Sequence, residues 1–186
     1  MLIRHAEAAG GPVDADRPLT ERGTRQAAAI GDRLVQAELA PHRALVSPAR
    51  RAAQTWELAS ARLAAGPRPA VDARIYDNTV EALLAVIRET PDDVQVLAVV
   101  GHNPSIAELV AVLDDGQGDP ATRSGAGAGF PAGGTAVFAL ATSFAAIAPG
   151  GATRRAGSTG GTVSRRPTRR PRRPSPGASS TSRVGG

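Results

Sequence analysis

Met1-Leu2-Ile3-Arg4-His5-Ala6-Glu7 opens the chain and is the key to its architecture. Apolar residues run directly into an arginine and a histidine, after which small residues and glycines follow. Taken as a buried strand, the stretch delivers a fixed positive charge and a titratable imidazole to one edge of a sheet. That pair suits phosphate chemistry. A guanidinium presents a planar fork of donors to phosphoryl oxygens, and an imidazole attacks or exchanges protons near neutral pH. An isolated Arg-His dipeptide is equally compatible with surface decoration, so the weight falls on recurrence.

Two further apolar runs end in the same manner. Ala44-Leu45-Val46-Ser47 leads into Pro48-Ala49-Arg50-Arg51, and Val94 to Val100 leads into Gly101-His102-Asn103-Pro104. Ligands of open α/β sheets bind outside the carboxyl ends of the strands. Arg4 and His5, Arg50 and Arg51, and His102 are therefore expected to converge on one crevice.

Helical patterns separate the runs. Thr20 is placed to cap a helix over about 21 to 38, whose stripe is Ala27, Ile30, Leu34 and Ala37. Ser47 and Pro48 read as N-cap and first position of a second helix reaching about Ala64, with Ala52, Trp56, Ala59 and Leu63 inward. Arg50 and Arg51 then fall in its first turn, where the helix dipole disfavours cations unless an anion also sits there. A short extended piece follows over 70 to 75, and Thr79 caps a helix over 80 to 89 with Val80, Leu83, Leu84 and Ile87 on its apolar face. Val94 to Val100 is nearly all apolar, as a central parallel strand covered on both faces must be. A helix through Leu113 starts at Asn103-Pro104, and 135 to 142 is a last strand at a sheet edge, where antiparallel pairing is open to it. Segments 8 to 19 and 114 to 129 read as loops, the first lying beside the site. The alternation implies an α/β fold, three-layer α/β/α with a largely parallel sheet.

The 186 residues fit one domain of ordinary size. Cysteine is absent, which excludes disulfides and thiolate metal sites, and the three histidines, at 5, 42 and 102, are too scattered for a dedicated metal site. His42 reads as an exposed loop residue. No apolar run approaches the ~20 residues of a membrane span, and no signal-peptide pattern is present, so a cytoplasmic monomer without membrane contact is expected. The net charge of +5 hides an asymmetry: residues 151 to 186 hold nine arginines and no acid. The rest has 13 arginines against 17 acids, about −4. Residues 149 to 186, dominated by Gly, Ser, Thr, Pro and Arg, cannot form a core and are expected to be a disordered tail.

R-H-A-E at 4 to 7, S-P-A-R-R-A-A-Q-T at 47 to 55 and V-V-G-H-N-P at 99 to 104 resemble the histidine phosphatase superfamily, with its phosphoglycerate-mutase-like fold. D-R-P-L-T-E-R-G at 16 to 23 and F-P-A-G-G-T-A-V at 130 to 137 are similar to its SixA-type phosphohistidine phosphatase branch. The resemblance spans roughly residues 1 to 148, in the family's order, which sets the expected domain. It implies that His5 attacks phosphorus and becomes phosphohistidine, which water then hydrolyses. It further implies that Arg4, Arg51 and His102, with Asn103, bind the phosphoryl group, and that Arg50 faces solvent or the rim. Neither a metal nor another cofactor is implied, because the guanidinium groups supply the charge.

A leaving group needs a proton. Phosphoglycerate-mutase-pattern members take it from a loop glutamate, and Asp77 is the nearest match here, with Glu7 and Glu81 as alternatives. The substrate expected is a phosphohistidine-bearing protein or a small phosphomonoester. A second class of function is polyanion or nucleic-acid binding through S-R-R-P-T-R-R-P-R-R-P in the tail. No aromatic residue is interleaved with those arginines, so no specific nucleic-acid partner is expected.

Overall fold

The structure, a computed structural model, describes residues 1–118 and 129–155. Five strands form the main sheet: β1 (Leu2–Arg4), β2 (Arg43–Val46), β3 (Pro69–Val71), β4 (Leu97–Gly101) and β5 (Thr135–Ala136), in the order β3-β2-β4-β1-β5. The first four are parallel, and β5 runs antiparallel to β1 with Leu2 opposite Ala136. Helices α1 (Glu21–Gln36), α2 (Arg50–Ser60), α3 (Val80–Arg88) and α4 (Ser105–Leu113) cover the two faces.

The period-two alternation of strand side chains divides the core in two. Ile3, Ala44, Val46, Ala98 and Val100 meet Ile30, Leu34 and Trp56 of α1 and α2. Leu2, Leu45, Leu97 and Val99 meet Leu83, Ile87, Ile106 and Leu109 of α3 and α4. Burying each of these larger side chains contributes about 1.5–3 kcal/mol, so the layers hold through hydrophobic burial on both faces. Gly31 lets α1 and α2 close on each other, since a Cβ there would stand 2.3 Å from the Ala59 carbonyl oxygen.

Two caps form as the sequence implies. Thr20 Oγ1 accepts from the Gly23 amide at 2.9 Å, and Thr79 Oγ1 accepts from the Ala82 amide at 3.2 Å. Helix α2 departs from expectation at both ends. It begins at Arg50 after an extended Ala49 whose side chain cannot cap, and it stops at Ser60, four residues before Ala64. Ser47 is not its cap, because the hydroxyl is engaged by the imidazole described below. At the other end the chain folds back, bringing Gly66 against Ser60.

The expected last strand is two. It breaks at Val137, whose carbonyl accepts from the Arg155 amide at 2.9 Å, and β6 (Phe138–Leu140) leaves the main sheet to pair antiparallel with β7 (Ala152–Arg154). Residues 149 to 155 are therefore ordered, contrary to the expected boundary at 148. Gly150 N–H donates to Val112 O at 2.8 Å, Asp115 N–H donates to Ala152 O at 3.0 Å, and Ala152 is buried. Backbone pairing holds a segment whose composition offers little apolar surface. The expectation for residues 156 to 186 lies outside the described residues, as does most of the glycine-rich loop, 119 to 128. Among the described residues no helix is long and apolar enough to cross a membrane.

Candidate active site

Strands β1 and β4 are neighbours in parallel register with Arg4 opposite Gly101, so the residues that follow them emerge side by side. His5 N–H donates to Gly101 O at 3.0 Å, and the rings of His5 and His102 lie 5.1 Å apart at 55°. Past the strand end, backbone amides need new partners. Ala6 N–H finds Thr55 Oγ1 of α2 at 3.0 Å, and Glu7 N–H finds Gln26 Oε1 of α1 at 2.9 Å. Gly133 N–H donates to His5 O at 3.0 Å. The His5 backbone is held from three sides.

His5 Nδ1 lies 2.7 Å from the Ala6 carbonyl oxygen. A carbonyl only accepts, so Nδ1 carries the proton and Nε2 keeps its lone pair. Burial, with smaller contributions from the charges of Arg51, Arg4 and Arg17, lowers the His5 pKa to about 4, against the opposing pull of the Ala6 bond. The ring is neutral at pH 7. His102 is lowered further, to about 3, first by burial and then by His5 and Arg51. Its Nε2 lies 2.7 Å from Ser47 Oγ, while its Nδ1 is buried without a partner.

Arg4 Nη1 donates to the Phe130 carbonyl at 2.7 Å, and Arg4 Nε is buried with no partner. The Asn103 amide donates to the same carbonyl at 2.9 Å, so that nitrogen braces the loop at Phe130. Arg51 is buried at 6 % exposure, whereas Arg50, one position earlier on α2, is exposed. Arg51 Nη1 donates to the Asp14 carbonyl at 2.6 Å and Nη2 to its carboxylate at 2.9 Å. Tyr76 Oη at 2.7 Å and Arg17 Nη1 at 2.9 Å donate to that carboxylate as well. These bonds, Tyr76 first, hold the Asp14 carboxyl well below the usual carboxylate range. The Tyr76 ring meets His102 edge-on at 5.6 Å and lies 6.0 Å from the Arg51 guanidinium carbon.

The fold therefore brings Arg4, His5, Arg51 and His102 to one end of the sheet, and the comparisons give that arrangement a lineage. Residues 1–77 match the family model of the histidine phosphatase superfamily (branch 1). A structure described as a candidate phosphohistidine phosphatase SixA, from Nakamurella multipartitia, superposes with a TM-score of 0.69 at 32% identity, covering 82% of this chain and 91% of that one. This chain belongs to the histidine phosphatase superfamily. A structure of the protein histidine phosphatase SixA complexed with tungstate is 26% identical with a TM-score of 0.66, over 82% of this chain and 91% of that one. An uncharacterised Mycobacterium tuberculosis protein is 37% identical over 151 residues, 80% of this chain and 93% of that one.

In this histidine phosphatase the family model contains Arg4, His5 and Arg51 and ends before His102, which the sheet supplies. The acids named from sequence stand apart. The Asp77 side chain is exposed and, among the described residues, has no hydrogen-bond or ion-pair partner. Glu7 is turned to the start of α1, where it accepts from Thr20 Oγ1 at 2.9 Å and pairs with Arg22 at 3.4 Å. Glu81 is exposed in the first turn of α3.

Four residues of the candidate site do not stand out in the sequence: Asp14, Ser47 in this role, Tyr76 and Asn78. Asn78, at φ 60°, donates to Asn103 O at 2.8 Å and accepts from Ser105 Oγ at 2.8 Å, tying the Tyr76 loop to the turn after His102. Ser47 carried a usable signal, since it too ends an apolar strand. For Asp14 the signal was only an acid in a loop flanking an arginine-rich site.

Proposed function

We propose that this phosphatase hydrolyses a phosphoryl group through a phosphohistidine formed at His5 Nε2. One observation carries the reading: His5 Nε2 keeps its lone pair, the His102 ring lies 5.1 Å away, and two polar nitrogens of the neighbouring residues, Arg4 Nε and His102 Nδ1, are buried without hydrogen-bond partners. Leaving a buried donor unpaired costs about 1–3 kcal/mol, which an oxyanion seated among them would recover. Ser47 Oγ–H donating to His102 Nε2 places the His102 proton on Nδ1, making that atom a neutral donor to a phosphoryl oxygen.

In the first step the Nε2 lone pair bonds to phosphorus while the bond to the leaving group breaks and its electrons depart with that group. The His5 ring gains positive charge, which its Nδ1–H bond to Ala6 O stabilises. Arg4, Arg51 and His102 stabilise charge on the equatorial oxygens. Water then attacks phosphorus and gives a proton to a phosphate oxygen or to solvent, the N–P electrons return to Nε2, and inorganic phosphate leaves. The fixed guanidinium groups do the work of charge neutralisation.

Protein phosphohistidine is the substrate favoured here. Its P–N bond is labile and its imidazole leaving group is readily protonated, so no strong acid is needed. That matches a site where Asp14 is held ionised and Asp77 is exposed without a partner. The likeness to SixA structures, one holding tungstate, supports the same choice.

The test is phosphate release from a phosphohistidine-bearing domain and from a panel of phosphomonoesters, in excess EDTA. Turnover should favour the phosphohistidine, survive chelation, and label wild type on His5. Phosphate release by His5→Ala at near wild-type rate would overturn the mechanism. Loss on chelation with recovery on magnesium would overturn metal independence, and a preference for phosphomonoesters would overturn the substrate assignment.

A further inference from the structure

The loop between β1 and α1 is closed at its base and tethered at its tip through one residue, Asp14. Ala8 bridges Leu19, Ala9 N–H donates to Pro18 O at 2.8 Å, and Arg17 Nε donates to Ala9 O at 2.8 Å. From Gly10 to Asp14 the chain is exposed, and a Cβ at Gly10 would meet nothing within 4 Å. The bonds from this tip to the rest of the site converge on Asp14. Its carboxylate accepts from Arg51, Tyr76 and Arg17, and its carbonyl accepts from Arg51. Both Arg51 Nη atoms are thus engaged by an anionic residue on an exposed loop tip.

We propose that Asp14 is a built-in competitor for the phosphoryl group: it occupies Arg51 in the resting enzyme and must be displaced by substrate. This rests on the reading of Arg51 as a phosphate donor. The carboxylate stands in for a phosphoryl oxygen at the arginine fork, so a bound phosphoryl dianion and the resting Asp14 exclude each other by charge and by shared hydrogen bonds. Two consequences follow. Weak anions fail to open the site, since affinity is reduced by the fraction of enzyme with Arg51 free. After hydrolysis, the returning Asp14 carboxylate helps to expel inorganic phosphate. The residue selects for an anion that brings further contacts with it, as a phosphorylated protein does.

The experiment measures inorganic phosphate affinity by calorimetry for wild type, Asp14→Asn, Asp14→Ala and Asp16→Asn, with hydrogen exchange of the loop amides. Asp16 is exposed on the same loop and pairs with no basic residue among those described, so its variant removes equal charge without freeing Arg51. Both Asp14 variants should bind phosphate about fivefold more tightly, and Asp16→Asn should stay within about twofold of wild type. Saturating phosphate should speed exchange at residues 13 to 17 in wild type and leave the already fast Asp14→Ala loop unchanged. Unchanged or weaker phosphate binding by the Asp14 variants would overturn the proposal, as would equal tightening by Asp16→Asn or slower loop exchange with phosphate. A separate result, wild type and Arg51→Ala binding phosphate alike, would show the phosphate site itself to be misassigned.

Discussion

His102 Nε2 lies 2.7 Å from Ser47 Oγ, and both side chains are sealed from solvent. The Ala49 amide donates to the same oxygen at 3.4 Å and takes up a lone pair, which leaves the hydroxyl hydrogen available to the imidazole. With the hydroxyl as donor in this bond, as proposed above, the serine sets which nitrogen of His102 carries its proton. Ser47→Ala should leave Nε2 buried and unpaired, at about 1–3 kcal/mol of stability, and lower kcat/KM roughly tenfold. Denaturant unfolding and steady-state kinetics measure both. Nitrogen-15 shifts should show His102 protonated on Nδ1 in wild type and as a tautomer mixture in the variant. A single unchanged tautomer would remove the serine from this role.

Arg51 and Arg50 are adjacent, yet one is buried in the site and the other faces water, because successive helical residues point ~100° apart. Arg51→Ala should reduce kcat/KM by ~100-fold or more, the loss expected for a transition-state donor. Arg50→Ala should remain within a few-fold of wild type. The reverse ranking would move the phosphate site to the helix rim.

The two site histidines give the protein a defined response to acid. Burial lowers His5 to about 4 and His102 to about 3, from an ordinary 6.5. As pH falls below 6.5 the unfolded chain takes up protons at these positions while the folded chain resists. Stability is therefore full above 6.5 and declines as pH drops toward 4. Ring resonances of both residues should stay still between pH 8 and about 5.5 and move only below that. A midpoint near 6.5 for either would contradict the buried, neutral pair.

Much of this was legible because one local rule repeats. Arg4, His5 and His102 each follow an apolar run, and a parallel sheet brings such positions to a common edge whatever the intervening chain does. Choosing Arg51 over Arg50 needed the family's register, since apolar periodicity alone fixes a helix face only to within a residue. Ser47 shows a local rule losing to a tertiary contact: the hydroxyl that would cap α2 is taken by a histidine 55 residues away. Asp14 was illegible for a related reason, since a loop in isolation has no preferred place and this one is positioned by Arg51, 37 residues on. Strand β7 was hidden by composition. Ala152-Thr153-Arg154 has little to distinguish it from the Gly/Ser/Arg-rich stretch around it, and its order comes from backbone pairing with β6.

That pairing relocates the edge of the domain, and the relocation can be tested by truncation. A chain ending at 148 loses β7, the Gly150 bond to Val112, the Ala152 bond to the Asp115 amide and the Thr153 bond to the Asp115 carboxylate. It also uncovers Phe138 and Leu140, which pack on the α3 and α4 side of the core. Net hydrogen bonds are worth about 0.5–1.5 kcal/mol each, so several lost together with apolar cover should cost a few kcal/mol. A chain ending at 155 keeps all of these contacts. It should unfold at the denaturant midpoint of the 186-residue chain and keep kcat within about twofold, because Arg4, His5, Arg51 and His102 all lie on the main sheet, directly after its strands or on α2. Equal stability of the 148 and 155 truncations would show that β7 contributes nothing. Loss of activity at 155 would place part of the working enzyme in the arginine-rich segment beyond.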